Sequence, residues 1–306
     1  MEKRRIGSLE VSLVGLGCNN FGARLDAEAT ARVAHAALDA GINFFDTADI
    51  YGKTKSEEYL GHALAGRRDE VVLATKFGME VDEHRKGARP EYIRQAVEDS
   101  LRRLATDHID LYQLHRPDPD VPIADTLGAL NELVQAGKVR EIGCSNFSVA
   151  QLQEAEAAAV GARFVSVQNE YSLVKREPER DGVLAECERL GLSFLPFFPL
   201  ASGLLTGKYR LGQPVPERGR LAEERYAGNR SEKNLRLVEA LIDFAEARGH
   251  TLLELAFSWL AARPVVASVI AGATSVEQIH LNARAANWKL SDDELIDVEG
   301  ILSTPR

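Results

Sequence analysis

Three ionisable side chains end three successive apolar runs of this chain. Asp46 closes the run 43–46, Lys76 closes 71–76 and His115 closes 109–115. Amides and a hydroxyl follow the same rule further on, with Ser145 and Asn146 after the run 139–144 and Gln168 and Asn169 at the end of 164–168. If these runs are neighbouring parallel strands, their carboxyl ends share one face, which is where barrel enzymes assemble their chemistry. A carboxylate, an ammonium and an imidazole there suit proton transfer and stabilisation of developing charge. A buried lysine needs a counter-ion, and Asp46 can supply one. Each residue also has a plainer reading. Asp46 can cap a turn, Lys76 can serve a structural ion pair, and His115 can bond backbone. Three such residues at successive strand ends make the shared-site reading the stronger one.

The elements that must position them alternate regularly. Eight short apolar runs lie at 13–16, 43–46, 71–76, 109–115, 139–144, 164–168, 193–197 and 267–270. Amphipathic stretches near 27–40, 56–65, 91–104, 123–136, 149–158, 180–190, 231–248 and 276–285 read as helices. Pro90 fits a first helical position, Ser148 with Gln151 and Thr274 with Glu277 fit capping boxes, and Gly41, Gly137, Gly191 and Gly249 fall at helix ends. Near-continuous apolar strands imply a parallel sheet covered on its outer face. Eight units without a composition break imply one (β/α)8 barrel domain over residues 1–306. A hairpin precedes it, with runs 3–6 and 9–12 flanking Gly7-Ser8. Two stretches break the rhythm: 251–262 reads as an extra helix, and 201–230 as a long functional loop or a connector.

Bulk properties exclude several classes. A chain of 306 residues with 45% hydrophobic and 27% charged content is ordinary for a globular protein. A net charge of −9 speaks against nucleic acid and against an anionic membrane surface. Three widely spaced cysteines, Cys18, Cys144 and Cys187, suggest reduced thiols, and no signal peptide or membrane span is evident, so a cytoplasmic protein is expected. The seven histidines show no HxH or HExxH spacing, so no metal site is expected.

The motifs together resemble the aldo-keto reductase superfamily over nearly the whole chain. They are Gly15-Leu16-Gly17-Cys18, Phe45-Asp46-Thr47-Ala48 with Tyr51-Gly52, Ala74-Thr75-Lys76, Leu114-His115, Gly143-Cys144-Ser145-Asn146-Phe147, Val167-Gln168-Asn169, the stretch from Pro199 to Lys208, and Gly272-Ala273-Thr274 followed by Gln278 and Asn282. The resemblance implies hydride transfer from NADPH, with NADH as the alternative, to a small aldehyde or ketone. It makes Tyr51 the proton donor and Asp46, Lys76 and His115 its partners. A free phenol has a pKa of about 10, and a nearby ammonium is expected to lower it. Seen alone, Tyr51 would more simply be a packing residue.

The same resemblance assigns cofactor contacts. Gly17 and Cys18 match the loop after the first strand, and Asp46 borders the nicotinamide. Ser145 and Asn146 match the pair that bonds the carboxamide, with Gln168 beside them. Phe197 stands at the ring-stacking position, often tyrosine in the family, and Phe198 stands where serine is common. Leu200, Gly203 and Lys208 match the loop along the pyrophosphate. Gly272 and Thr274 begin the adenosine end, where free N–H groups suit a phosphate. Gln278 replaces a common arginine, which weakens a strict demand for the 2′-phosphate, and Asn282 matches the adenine contact. Asn20, Phe21, Phe77 and Met79 are candidates to line the substrate pocket.

Gly15-Leu16-Gly17 begins like a dinucleotide-binding turn, but Asn20 replaces the third glycine. A cofactor-binding regulatory module of the same fold, similar to the potassium-channel β subunits, is the main alternative. Net acidity, short loops and the lack of an N-terminal extension count against it. A Schiff-base aldolase built on Lys76 is a third, opposed by the Asp46 counter-ion. The oligomeric state is not legible.

Overall fold

The alternation resolves into a closed barrel in a computed structural model that describes residues 1–216 and 219–304. Strands β1 (Lys3–Ile6) and β2 (Leu9–Ser12) form the expected antiparallel hairpin. The barrel strands are β3 (Val14–Gly17), β4 (Phe44–Asp46), β5 (Val72–Phe77), β6 (Ile109–Leu114), β7 (Val139–Ser145), β8 (Phe164–Glu170), β9 (Ser193–Phe197) and β10 (Val269–Gly272). They pair in parallel in chain order, with β10 beside β3. The ring closes where Phe194 donates to the Val265 carbonyl at 2.8 Å and Ala267 donates to that of Phe194 at 3.1 Å.

Helices α1 (Ala27–Asp39), α2 (Lys55–Ala63), α3 (Pro90–Leu104), α4 (Ile123–Gln135) and α5 (Val149–Ala158) cover the outside, Pro90 opening α3 as expected. The stretch expected at 180–190 divides into α6 (Glu177–Arg180) and α7 (Val183–Leu190), because Gly182 between them is left-handed at φ 80°. Then come α8 (Glu232–Glu246), the expected extra helix α9 (Leu252–Ala261), α10 (Val276–Ala285) and α11 (Asp292–Ser303). The capping box at Ser148 and Gln151 is present. That at Thr274 and Glu277 is not: Ser275 caps α10 by accepting from the Gln278 N–H.

Period-two alternation decides what the strands offer the interior. Phe44, Ala74, Leu111, Leu195, Ala267 and Ile270 fill the barrel, together with Ile6, Leu9 and Val11 of the hairpin. The hairpin therefore plugs the amino-terminal end, and each fully buried hairpin side chain is worth about 1.5–3 kcal/mol. One pleat further on, the inward residues change to Asp46, Lys76, Gln113 and Gln168. Register sets Lys76 opposite Gln113 and, past a shift at Ile142/Gly143, Ser145 opposite Gln168. No helix among the described residues is long and apolar enough to cross a membrane.

Candidate active site

The inward polar layer is organised around one ion pair. Lys76 Nζ lies 2.6 Å from Asp46 Oδ2, with both side chains almost fully buried. Lys76 also donates to the Thr47 carbonyl at 2.9 Å. The second Asp46 oxygen accepts from Gln113 Nε2 at 3.1 Å and Gln168 Nε2 at 3.0 Å. Burial opposes the ammonium, but Asp46 and Tyr51 overcome it and hold the lysine above its ordinary pKa.

Tyr51 stands over this pair, with Lys76 Nζ 5.2 Å from its ring centroid. The turn that carries it is tied down at several points. Thr47 N–H donates to Ala74 at 2.9 Å and Asp49 N–H to Lys76 at 3.0 Å. The Thr47 and Ser56 hydroxyls are 2.8 Å apart, and Ser56 donates to the Cys18 carbonyl at 2.9 Å. Gly52 has φ 57°, and a Cβ there would lie 2.5 Å from the Phe21 carbonyl oxygen, so the turn requires glycine. Burial raises the Tyr51 phenol above its ordinary pKa; Lys76 pulls it down, and Asp46 partly cancels that pull. The expected net lowering is thus corrected. The ammonium acts in the expected direction, but desolvation of a phenolate inside the barrel mouth outweighs it.

His115 meets Tyr51 edge to face, ring centroids 5.9 Å apart. Burial first, then Lys76 and Arg116, push its pKa down to about 3. The ring is neutral at physiological pH, and its Nδ1 has no partner among the described residues.

These groups form the floor of a cavity of about 1110 Å³ at the carboxyl ends of the strands. Asp46, Tyr51 and His115 line it, while Lys76 sits directly beneath through Asp46. The residues matched above to cofactor contacts, Gly17, Cys18, Ser145, Asn146, Gln168, Phe197, Leu200, Gly203, Lys208, Gly272, Thr274, Gln278 and Asn282, line the same cavity. Ser145 donates to the Gln168 carbonyl at 2.7 Å, and Asn146, at φ 61°, reaches the His115 carbonyl at 3.0 Å. Lys208 makes no ion pair among the described residues, and burial and then Arg24 lower its pKa. Gln278 Oε1 accepts from both the N–H (2.8 Å) and the hydroxyl (3.2 Å) of Thr274, so those donors expected for a phosphate are already engaged.

Of the pocket candidates, Asn20 and Met79 line the cavity. Phe21 and Phe77 do not. Both are fully buried in the outer core, Phe77 stacked on Tyr112 at 4.7 Å. The long segment after β9 folds as short 3-10 turns at Ala201–Thr206, Arg220–Ala222 and Glu224–Arg230 and supplies a wall. Arg220 crosses to Asn20 at 2.9 Å and lies over the rings of Phe198 and Tyr226. Arg24 pairs with Glu223 across the same rim. Sequence reasoning missed Gln113, Arg116, Arg220 and Tyr226 as site residues. Gln113 had a signal, since it shares a strand face with His115 two residues on. Arg220 and Tyr226 had none, because a loop without periodicity does not say which residues turn inward.

Residues 13–303 match the model of the aldo/keto reductase family. The chain belongs to that family. It is 36% identical to the probable voltage-gated potassium channel subunit beta of Oryza sativa subsp. japonica, over 99% of this chain and 97% of the relative. It is 35% identical to protein tas of Escherichia coli (strain K12), over 98% and 97%. Among solved structures, it superposes on the glycerol dehydrogenase AKR11B4 from Gluconobacter oxydans with a TM-score of 0.85 at 33% identity, covering 98% of this chain and 95% of that one. The aldo-keto reductase AKR11C1 from Bacillus halodurans, in its holo form, gives 0.81 at 34% identity, covering 98% and 96%. This aldo/keto reductase is accordingly an oxidoreductase with the family's (β/α)8 barrel, and the family membership indicates a nicotinamide cofactor.

Proposed function

We propose that the protein reduces aldehydes or ketones to alcohols with NADPH, with Tyr51 delivering the proton. One observation carries the reading: Tyr51, the Asp46–Lys76 pair and neutral His115 meet on the floor of the cavity whose walls hold the amide, aromatic and cationic groups a dinucleotide needs. Ser145, Asn146 and Gln168 suit a carboxamide, Phe197 a flat ring, and Lys208 a pyrophosphate. The cavity volume suits a dinucleotide with a small substrate. When bound, the nicotinamide supplies the hydride to the carbonyl carbon.

The chain's own groups supply the rest. The phenol of Tyr51 is protonated at neutral pH and hands its proton to the carbonyl oxygen as negative charge grows there. The phenolate left behind lies beside the Lys76 ammonium, which limits its cost. Asp46 holds that ammonium in place, and Gln113 and Gln168 donate to its other oxygen and fix its orientation. His115, being uncharged, orients the substrate oxygen without competing as an acid. A Schiff base on Lys76 is disfavoured, because a lysine paired at 2.6 Å and raised in pKa is a poor nucleophile.

The test follows absorbance at the nicotinamide band over a panel of aldehydes and ketones with NADPH and with NADH. Turnover with at least one carbonyl is expected, faster with NADPH. Tyr51→Phe is expected to lower kcat by about 10²–10⁴-fold with nicotinamide affinity nearly intact. Wild-type turnover in that variant removes Tyr51 from the role. The likeness to the rice channel subunit supports a second reading, a cofactor-binding regulatory module of the same fold. Slow single turnover with retained cofactor, in place of steady cycling, would favour it.

A further inference from the structure

Behind the site lies a buried acid that the chemistry above does not use. Asp49, between Asp46 and Tyr51 in the chain, is 1% exposed, and neither side-chain oxygen has a hydrogen-bond partner among the described residues. Its own N–H is bonded to the Lys76 carbonyl at 3.0 Å, so it joins the Tyr51 turn to the strand that carries the ammonium. From α2, fully buried Glu57 faces it. Glu57 accepts the Thr75 hydroxyl at 2.6 Å and the Arg103 guanidinium of α3 at 2.6 Å. Tyr92 of α3 and Tyr112 of β6 complete the surroundings, and the Tyr112 hydroxyl is itself unpartnered among the described residues. Beyond Tyr92 the charges are Arg85 and Asp82. Two buried carboxyls thus share one cation, and Glu57 holds it.

Resting on Tyr51 as the proton donor, we propose that Asp49 is a positioning residue, a neutral carboxyl wedged behind the Tyr51 turn, and that its ionisation displaces the turn. Burial first, then Glu57, push Asp49 up to about 8, against the pull of Arg103 and of the Ile50 N–H and the Tyr92 hydroxyl. Of its neighbours at the floor of the cavity, His115 lies far below that range and the Tyr51 phenol lies above its ordinary value. A carboxylate at this point lacks a direct partner and gains by hydration, and the next two residues along the turn, Ile50 and Tyr51, line the wet cavity.

The experiment compares the wild type with Asp49→Asn, the neutral isostere. Turnover of 4-nitrobenzaldehyde with NADPH is followed from pH 6 to 9.5, and so, on separate samples, is the fluorine NMR of protein carrying 4-fluorophenylalanine in place of Tyr51, a ring with no hydroxyl of its own to titrate. The wild type is expected to fall to about a tenth of its pH 6.5 turnover by pH 9, and the fluorine resonance of its labelled form is expected to shift over the same range. Asp49→Asn is expected to lack both changes. A fluorine resonance constant from pH 7 to 9 in the wild type overturns the proposal even if the variant fails to fold, and so does an identical alkaline limb in both proteins. If the resonance shifts in the wild type alone and neither protein turns over the aldehyde, the positioning inference stands and the proton-donor reading loses its support.

Discussion

At the level of single residues, the site combines one charged couple with neutral hydrogen-bonding groups, and pH separates them. His115, depressed to about 3, binds no proton in the folded protein between pH 3 and its ordinary titration range, whereas the unfolded chain does. Its contribution to stability is therefore complete above about pH 6.5 and is lost as pH falls toward 3. The same shift means that kcat/KM carries no imidazole limb between pH 5 and 7; such a limb, absent from His115→Asn, would show that the ring is charged in the free enzyme. Gln278 makes a second case. Its amide oxygen occupies the Thr274 donors, and an arginine has no acceptor with which to do so. Gln278→Arg is expected to raise the preference for NADPH over NADH about tenfold, through a freed N–H and a guanidinium near the 2′-phosphate. An unchanged ratio of the two KM values places that phosphate elsewhere.

Between elements, the contact of α2 with α3 governs the site from outside the barrel. A Cβ on Gly61 would lie 2.6 Å from the Arg103 carbonyl oxygen and 2.7 Å from the Leu104 carbonyl carbon, both of them backbone. The helices approach closely because position 61 has no side chain, and this approach lets Arg103 reach Glu57. Gly61→Ala is expected to push α2 outward and cost about 1–3 kcal/mol in urea unfolding, the range of an overpacked core. It should lower kcat more than it raises KM, because the displaced ion pair supports the Tyr51 turn and not the cofactor walls. A stability loss under 0.5 kcal/mol, roughly the size of a surface change, would mean that the helices separate freely. The wall after β9 is held differently, by Arg220 reaching Asn20 and by Arg24 pairing with Glu223 across the rim.

Across the whole molecule, chemistry and stability occupy opposite ends of the barrel. The hairpin residues Ile6, Leu9 and Val11 fill the amino-terminal end, while charge and cavity lie at the carboxyl end. Leu9→Ala is expected to cost about 2–5 kcal/mol through the cavity it leaves, with nicotinamide affinity unchanged when measured by fluorescence well below the unfolding temperature. A changed affinity would show that the inner core transmits strain along the strands. At the bottom of the outer wall, Asp110 binds Arg68 and Arg140 at 2.8 and 2.9 Å, a second charged cluster whose place fits a structural task.

Sequence alone determined most of the elements and much of the candidate site. Hydrophobic periodicity reports strand and helix locally, and a polar residue ending an apolar run marks the strand's carboxyl end, so Asp46, Lys76, His115, Ser145 and Gln168 were legible before any coordinates. Helix α11 was not read, although Ser291 and Glu294 form its capping box, because its apolar face is weak. Only the tertiary structure decided the rest: that Phe21 and Phe77 turn to the outer core, that Gln278 closes over Thr274, that burial outweighs Lys76 at the Tyr51 phenol, and that Asp49 faces Glu57. Each of these depends on which side chains meet from distant segments and how much water remains between them, and neither quantity is periodic along the chain.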